Sequence, residues 1–205
     1  MSLKHIEQIL KSNKTINIIN LPDGGQWLSN GYACYPVKDL PKLTENNFLT
    51  ILNVDAGKRD KFCIIERESS WYGVSFLDTT PDEELIDSEF LTVIYRDTAF
   101  RTFEGAGGLL FVAERYFKPF NDEDAEYTFY ERFSAKTKIS YIAVKKGMFL
   151  DGIILPTVFR NDTEIVRMLE EMAVLSRQAY ENNITRSAPE PNHTQLSIFK
   201  GEDEE

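Results

Sequence analysis

The chain reads as an α+β domain built mainly on antiparallel sheet, and three observations predict it. Short segments rich in β-branched and aromatic residues follow one another from residue 15 to residue 159. Gly, Pro, Asp and Ser separate them at turn-like intervals. Helical periodicity is confined to the two ends and to one short stretch near residues 44–53. A length of 205 residues suits one ordinary domain with its own core, placed at residues 1–182, followed by an acidic tail at 183–205.

The elements follow in order. Leu3, Ile6, Ile9 and Leu10 recur at helical spacing, so residues 2–12 are expected to form an amphipathic helix that covers a sheet. Residues 15–21 and 26–36 flank Asp23-Gly24-Gly25, which predicts an opening hairpin. Thr44, with Pro41 upstream, is placed to cap a helix carrying Phe48, Leu49, Ile51 and Leu52. Strands are expected at 61–66, 71–77, 90–97, 99–103 and 109–113, then at 127–133, where aromatic and polar residues alternate. Residues 139–144 and 148–159, joined through Lys145-Lys146-Gly147, predict a hairpin. Asn161 as N-cap and Glu164 three residues later make a capping box, behind which Ile165, Met168, Leu169, Met172, Leu175 and Ala179 share one face. A helix over 161–182 follows.

Charge narrows the function. There are 23 Lys and Arg against 33 Asp and Glu, a net charge of −10. Phosphate-backbone binding depends on clustered basic residues, so no direct contact with nucleic acid is expected. The longest apolar runs, near 108–113 and 149–155, fall far short of the roughly 20 residues a membrane helix requires. Residues 1–14 carry interspersed charge and no leader-like apolar run, so the protein is expected to remain in the cytoplasm without membrane contact. Cys34 and Cys63 lie in separate apolar contexts and are expected to be buried reduced thiols.

No catalytic, metal-binding or cofactor-binding set is assigned. Gly105-Ala106-Gly107-Gly108 is similar to a phosphate-cradling loop, but no Lys-Ser or Lys-Thr pair follows, and a tight turn between strands is expected. His5 and His193 have no Cys, His or carboxylate at ligand spacing. Asp82-Glu83-Glu84 and Asp122-Glu123-Asp124 have the composition of divalent-ion sites, yet each reads as a solvated charge run in a connection. Trp27, Tyr32, Tyr35, Trp71 and Tyr72 form a possible base-stacking set that alternating strands instead direct into core and cross-strand pairs.

The tail offers the one motif that points to a partner. Beyond Asn183 the composition turns to Thr, Arg, Ser, Pro, Glu and Asn and ends in Gly201-Glu202-Asp203-Glu204-Glu205, which predicts disorder. Gln195-Leu196-Ser197-Ile198-Phe199 interrupts it, and a disordered segment has no core for Leu196, Ile198 and Phe199 to fill. This QLSIF island resembles the pentapeptide with which bacterial polymerases, mismatch-repair proteins and clamp-loading subunits bind the replicative sliding clamp. It departs only in carrying Ile198 where Leu is commoner. The resemblance implies that Gln195 orients the peptide, that Leu196 enters one subsite and Ile198 with Phe199 the other, and that Ser197 is a spacer. Burying three such side chains contributes about 1.5–3 kcal/mol each. Ordering a flexible peptide costs about 2–5 kcal/mol, which leaves micromolar affinity. The expected role is a non-enzymatic accessory or regulatory protein of the replication machinery, with the general character of a small phage or prophage product. Two alternatives are a clamp-recruited enzyme that processes DNA or nucleotides with carboxylates and a divalent metal, and a ligand- or protein-binding α+β domain unrelated to DNA, in which the QLSIF match is accidental.

Overall fold

The structure, a computed structural model, describes residues 2–38, 40–51, 54–71, 73–121, 125–159, 167–172, 174, 175, 178 and 179. The chain divides into two compact units, residues 1–158 and 159–205. The first is α+β, as expected. Among its described residues it contains an eight-stranded sheet and a three-stranded sheet with two α-helices, α1 (Leu3–Asn13) and α2 (Glu45–Ile51).

The strands are β1 (Thr15–Asn20), β2 (Gln26–Ser29), β3 (Ala33–Pro36), β4 (Cys63–Glu68), β5 (Glu84–Ile86), β6 (Ser88–Tyr95), β7 (Thr98–Gly105), β8 (Gly108–Ala113), β9 (Tyr127–Ser134), β10 (Ile139–Lys146) and β11 (Phe149–Ile154). The large sheet runs β4-β1-β2-β3-β11-β10-β9-β5, and the small one β6-β7-β8. Every neighbouring pair is antiparallel except β1 with β4, which are parallel.

Two strand expectations are corrected. Residues 26–36 form two strands, because side chains near their middle satisfy the backbone locally. Asn30 Oδ1 accepts the N–H groups of Tyr32 and Ala33 at 3.0 Å each, and Ser29 Oγ accepts Gly31 N–H at 2.9 Å. The opening hairpin is therefore a three-stranded meander. Residues 73–77 form no strand; they belong to a loop over one face of the large sheet, where side chains from β9 and β10 take the place of a ladder partner. The α2 cap is as expected: Thr44 Oγ1 accepts Asn47 N–H at 3.3 Å, and Asn47 Oδ1 accepts Thr44 N–H at 2.7 Å.

Opposite faces of the sheet carry two cores. On one, α1 buries Ile6, Ile9 and Leu10 and packs against β1 and the 3₁₀ segment Glu114–Phe120. Phe103, Phe117 and Phe129 meet there with ring centroids 5.4–5.6 Å apart, joining the small sheet to the large one. The other face buries Ile19, Trp27, Cys34, Tyr141, Ala143, Leu150 and Ile153, and Val74 and Phe76 of the loop pack against them. Cys34 is buried as expected, and burial pushes its thiol up to about 12 against a smaller opposing effect of the Ser29 hydrogen bond. Cys63 is exposed, contrary to expectation, because it opens β4 at the sheet's edge.

Gly152 marks the tightest packing. A Cβ built there would lie 2.3 Å from Phe120 Cζ, inside any tolerable contact. Gly152→Ala is expected to displace the Phe120 ring and destabilise the fold by about 1–3 kcal/mol, measured by urea denaturation.

In the second unit, residues 167–172, 174, 175, 178 and 179 are helical, in line with the helix expected over 161–182. Its capping box at Asn161 and Glu164 lies outside the described residues. Arg167 Nε stands 3.6 Å from Glu171 Oε1, one turn along. No helix among the described residues is long and apolar enough to cross a membrane.

Candidate functional site: a pinned loop and its groove

The expected partner-binding residues Gln195, Leu196, Ser197, Ile198 and Phe199 lie outside the described residues, as do His193 and Asp122-Glu123-Asp124. The most distinctive chemistry in the first unit is under the loop of residues 73–83. Antiparallel register places Arg132 beside Tyr141, Tyr130 beside Ala143 and Thr128 beside Lys145, so Thr128, Tyr130, Arg132 and Lys145 share the face the loop crosses.

Arg132 is the hub. Its side chain is 2% exposed. It donates from Nη1 to the Leu77 carbonyl and from Nη2 to the Asp78 carbonyl, both at 2.8 Å. Its Nε and Nη2 reach Glu83 Oε2 at 2.9 and 2.6 Å. Lys145 Nζ lies 4.4 Å from the Tyr130 ring centroid and donates to the other Glu83 oxygen. Further bonds hold the loop at intervals. Ser134 Oγ donates to the Gly73 carbonyl at 2.5 Å, Ser75 N–H to the Tyr141 hydroxyl at 2.9 Å, and Leu150 N–H to Asp78 Oδ1 at 2.8 Å.

Glu83 was expected to belong to a solvated charge run. Its side chain is only 10% exposed, and both carboxylate oxygens are engaged by cations. Burial pushes its carboxyl upward, but hydrogen bonds from Lys145 and Arg132 and their positive charges outweigh that effect, and the net direction is downward. A carboxylate held below its ordinary value binds fewer protons in the folded state than in the unfolded one. Its contribution is therefore present above the unfolded value and lost as pH falls through the folded value. Thermal melts are expected to show stability falling in the acid range below the ordinary carboxylate value, and Glu83→Gln is expected to flatten that segment of the profile.

A second buried carboxylate does a turn's work. Glu131 Oε2 accepts Ala106 N–H at 2.8 Å, and a Cβ at Gly105 would sit 2.9 Å from both carboxylate oxygens. The run Gly105-Ala106-Gly107-Gly108 is the β7–β8 turn that the sequence predicts. Trp27 and Tyr35 are buried in the core as expected, whereas Tyr32 is half-exposed and stacks on Tyr116 at 6.2 Å. Among the described residues no three His, Cys, Asp or Glu side chains gather where a metal ion could sit.

Beside the pinned segment lies a groove of about 380 Å³, lined by Leu21, Pro22, Asp23, Ser69, Ser70, Val74, Phe76 and Leu77. Its volume is within the range of small-ligand pockets. Its walls are apolar, with two serines and Asp23 supplying polar groups. Asp23 Oδ1 accepts Gly25 N–H at 2.8 Å, which shapes the β1–β2 turn at the rim.

Sequence reasoning missed Arg132 and Lys145 as partners of Glu83. One signal was available: Arg132 and Lys145 sit at strand positions whose alternation directs them to the face that also carries Tyr130, Tyr141 and Ala143. No family model, no curated protein and no solved structure matches the chain.

Proposed function

We propose that this chain is a non-enzymatic accessory or regulatory protein that docks onto the bacterial DNA sliding clamp through Gln195, Leu196, Ser197, Ile198 and Phe199. The carrying observation is an apolar island of clamp-binding character in a terminal segment otherwise made of polar and acidic residues. The net charge of −10 supports recruitment through a protein partner over direct contact with nucleic acid. The setting is the bacterial cytoplasm, and a phage-encoded protein that redirects host replication is one form of this role.

Calorimetric titration of purified clamp with the full chain tests the reading. Micromolar binding is expected, with a synthetic QLSIF peptide in excess displacing the protein. Absence of heat at high micromolar concentration of both proteins would overturn it. The groove beside residues 73–77 favours a second reading, in which residues 1–158 bind a small apolar ligand and the tail only delivers the domain.

A further inference from the structure

Side chains, and no strand ladder, hold residues 73–83 to the sheet. Among the described residues their one backbone-to-backbone hydrogen bond is internal, from Glu83 N–H to the Thr80 carbonyl at 3.4 Å, and none joins them to a strand. The pins come from β9, β10 and β11. Arg132 and Ser134 donate to backbone carbonyls, the Tyr141 hydroxyl accepts Ser75 N–H, Leu150 N–H reaches Asp78, and Arg132 with Lys145 engages Glu83. Each of these strands keeps its own ladder whether or not the pins are made. At one end the segment runs into β5, which pairs with β9, and at the other Gly73 stands at φ 68°, where a glycine carries no strain. Breaking the pins therefore costs no ladder bond, and the freed residues gain conformational entropy. A segment with those two properties opens below the free energy of global unfolding.

We propose that residues 73–83 are a strap that lifts off the sheet as one unit while the sheet stays intact, with Arg132 as its latch. Lifting changes the chemistry of this face. It carries away Asp78, Asp82 and Glu83 and uncovers Arg132 and Lys145, whose side chains are 2% and 5% exposed beneath it. It also takes Val74 and Phe76 off the apolar cluster that contains Trp27, whose ring meets Phe76 edge to face at 5.2 Å. An acidic cover thus gives way to two cations beside aromatic and aliphatic side chains. Val74, Phe76 and Leu77 are also one wall of the groove, so lifting the strap widens it. The strap belongs to residues 1–158 and needs neither clamp nor a groove ligand to open.

Native-state hydrogen exchange of the full chain in low urea tests the proposal. The amides of Ser75 and Leu150 report the strap, because each is bonded across the contact between strap and sheet. Both are expected to be protected, but at least about tenfold less than the β10 amides of Ile142, Ala143 and Val144, and with a shallower urea dependence. Arg132→Met should lower the protection of Ser75 at least about tenfold. Phe103→Leu, in the core on the opposite face of the sheet, weakens the closed and lifted states alike. It should lower the protection of the β10 amides about tenfold and leave that of Ser75 unchanged. Ser75 protection that matches the β10 amides in size and urea dependence, or that falls with theirs in Phe103→Leu, overturns the proposal. So does a Ser75 amide that is unprotected in the wild type, or one that is unaffected by Arg132→Met.

Discussion

Arg132→Ala is expected to destabilise the fold by about 3–5 kcal/mol, the cost of removing one partner from a buried ion pair. The substitution takes the guanidinium from Glu83 Oε2 and from the Leu77 and Asp78 carbonyls together. Leu77 and Asp78 are exposed residues whose carbonyls can turn to water, so the loss centres on Glu83, whose side chain is 10% exposed. Lys145 still neutralises Glu83, which sets an upper limit on the damage. Urea denaturation measures the difference. Limited proteolysis should show cleavage within residues 73–83 before the rest of residues 1–158 is attacked, because the loop loses its central pin first. Arg132→Met, which keeps much of the volume, should expose the loop equally while costing less stability. A loss below about 1 kcal/mol for the alanine variant would mean that the apolar contacts of Val74 and Phe76 hold the loop without the ion network.

The second large effect concerns the tail. Leu196→Ala with Phe199→Ala is expected to abolish measurable clamp binding while leaving the melting temperature unchanged. The two side chains represent about 1.5–3 kcal/mol each if fully buried in the partner. Every 1.4 kcal/mol is about tenfold in affinity, so a micromolar complex moves beyond detection. Ser197→Ala should bind like wild type if, as proposed, that residue only spaces the others. Gln195→Ala should weaken binding less than the double variant, since in the proposed complex it would remove a polar contact and keep the apolar anchors. The same heats for wild type and the double variant would place the contact elsewhere on the chain.

Much of the sheet was legible in the sequence. Residues 127–133 mix aromatic and polar side chains and form most of β9, and the Gly-rich run 105–108 makes the β7–β8 turn. These features are local, and local chemistry determines them. Residues 73–77 were illegible for the opposite reason. They have the β-branched and aromatic content of a strand, but the partners that satisfy their backbone, Arg132, Ser134 and Tyr141, lie 55–66 residues away and are side chains. Glu83 shows the same limit: between Asp82 and Glu84 it looks like surface charge, and only the fold brings Arg132 and Lys145 to it from 49 and 62 residues away. The parallel pairing of β1 with β4, across the intervening β2, β3 and α2, likewise leaves no mark on either strand's own pattern. The candidate partner motif was legible because it is linear, and it needs no fold to assemble it.

The most direct test of the central claim is nuclear magnetic resonance of the full isotopically labelled chain, with unlabelled purified clamp added stepwise. The prediction is that the resonances of Gln195, Leu196, Ser197, Ile198 and Phe199 shift or broaden first and most, saturating at micromolar clamp, and that those of residues 73–83 keep their positions. Clamp addition that leaves residues 195–199 unperturbed, or that perturbs residues 1–158 alone, would contradict it.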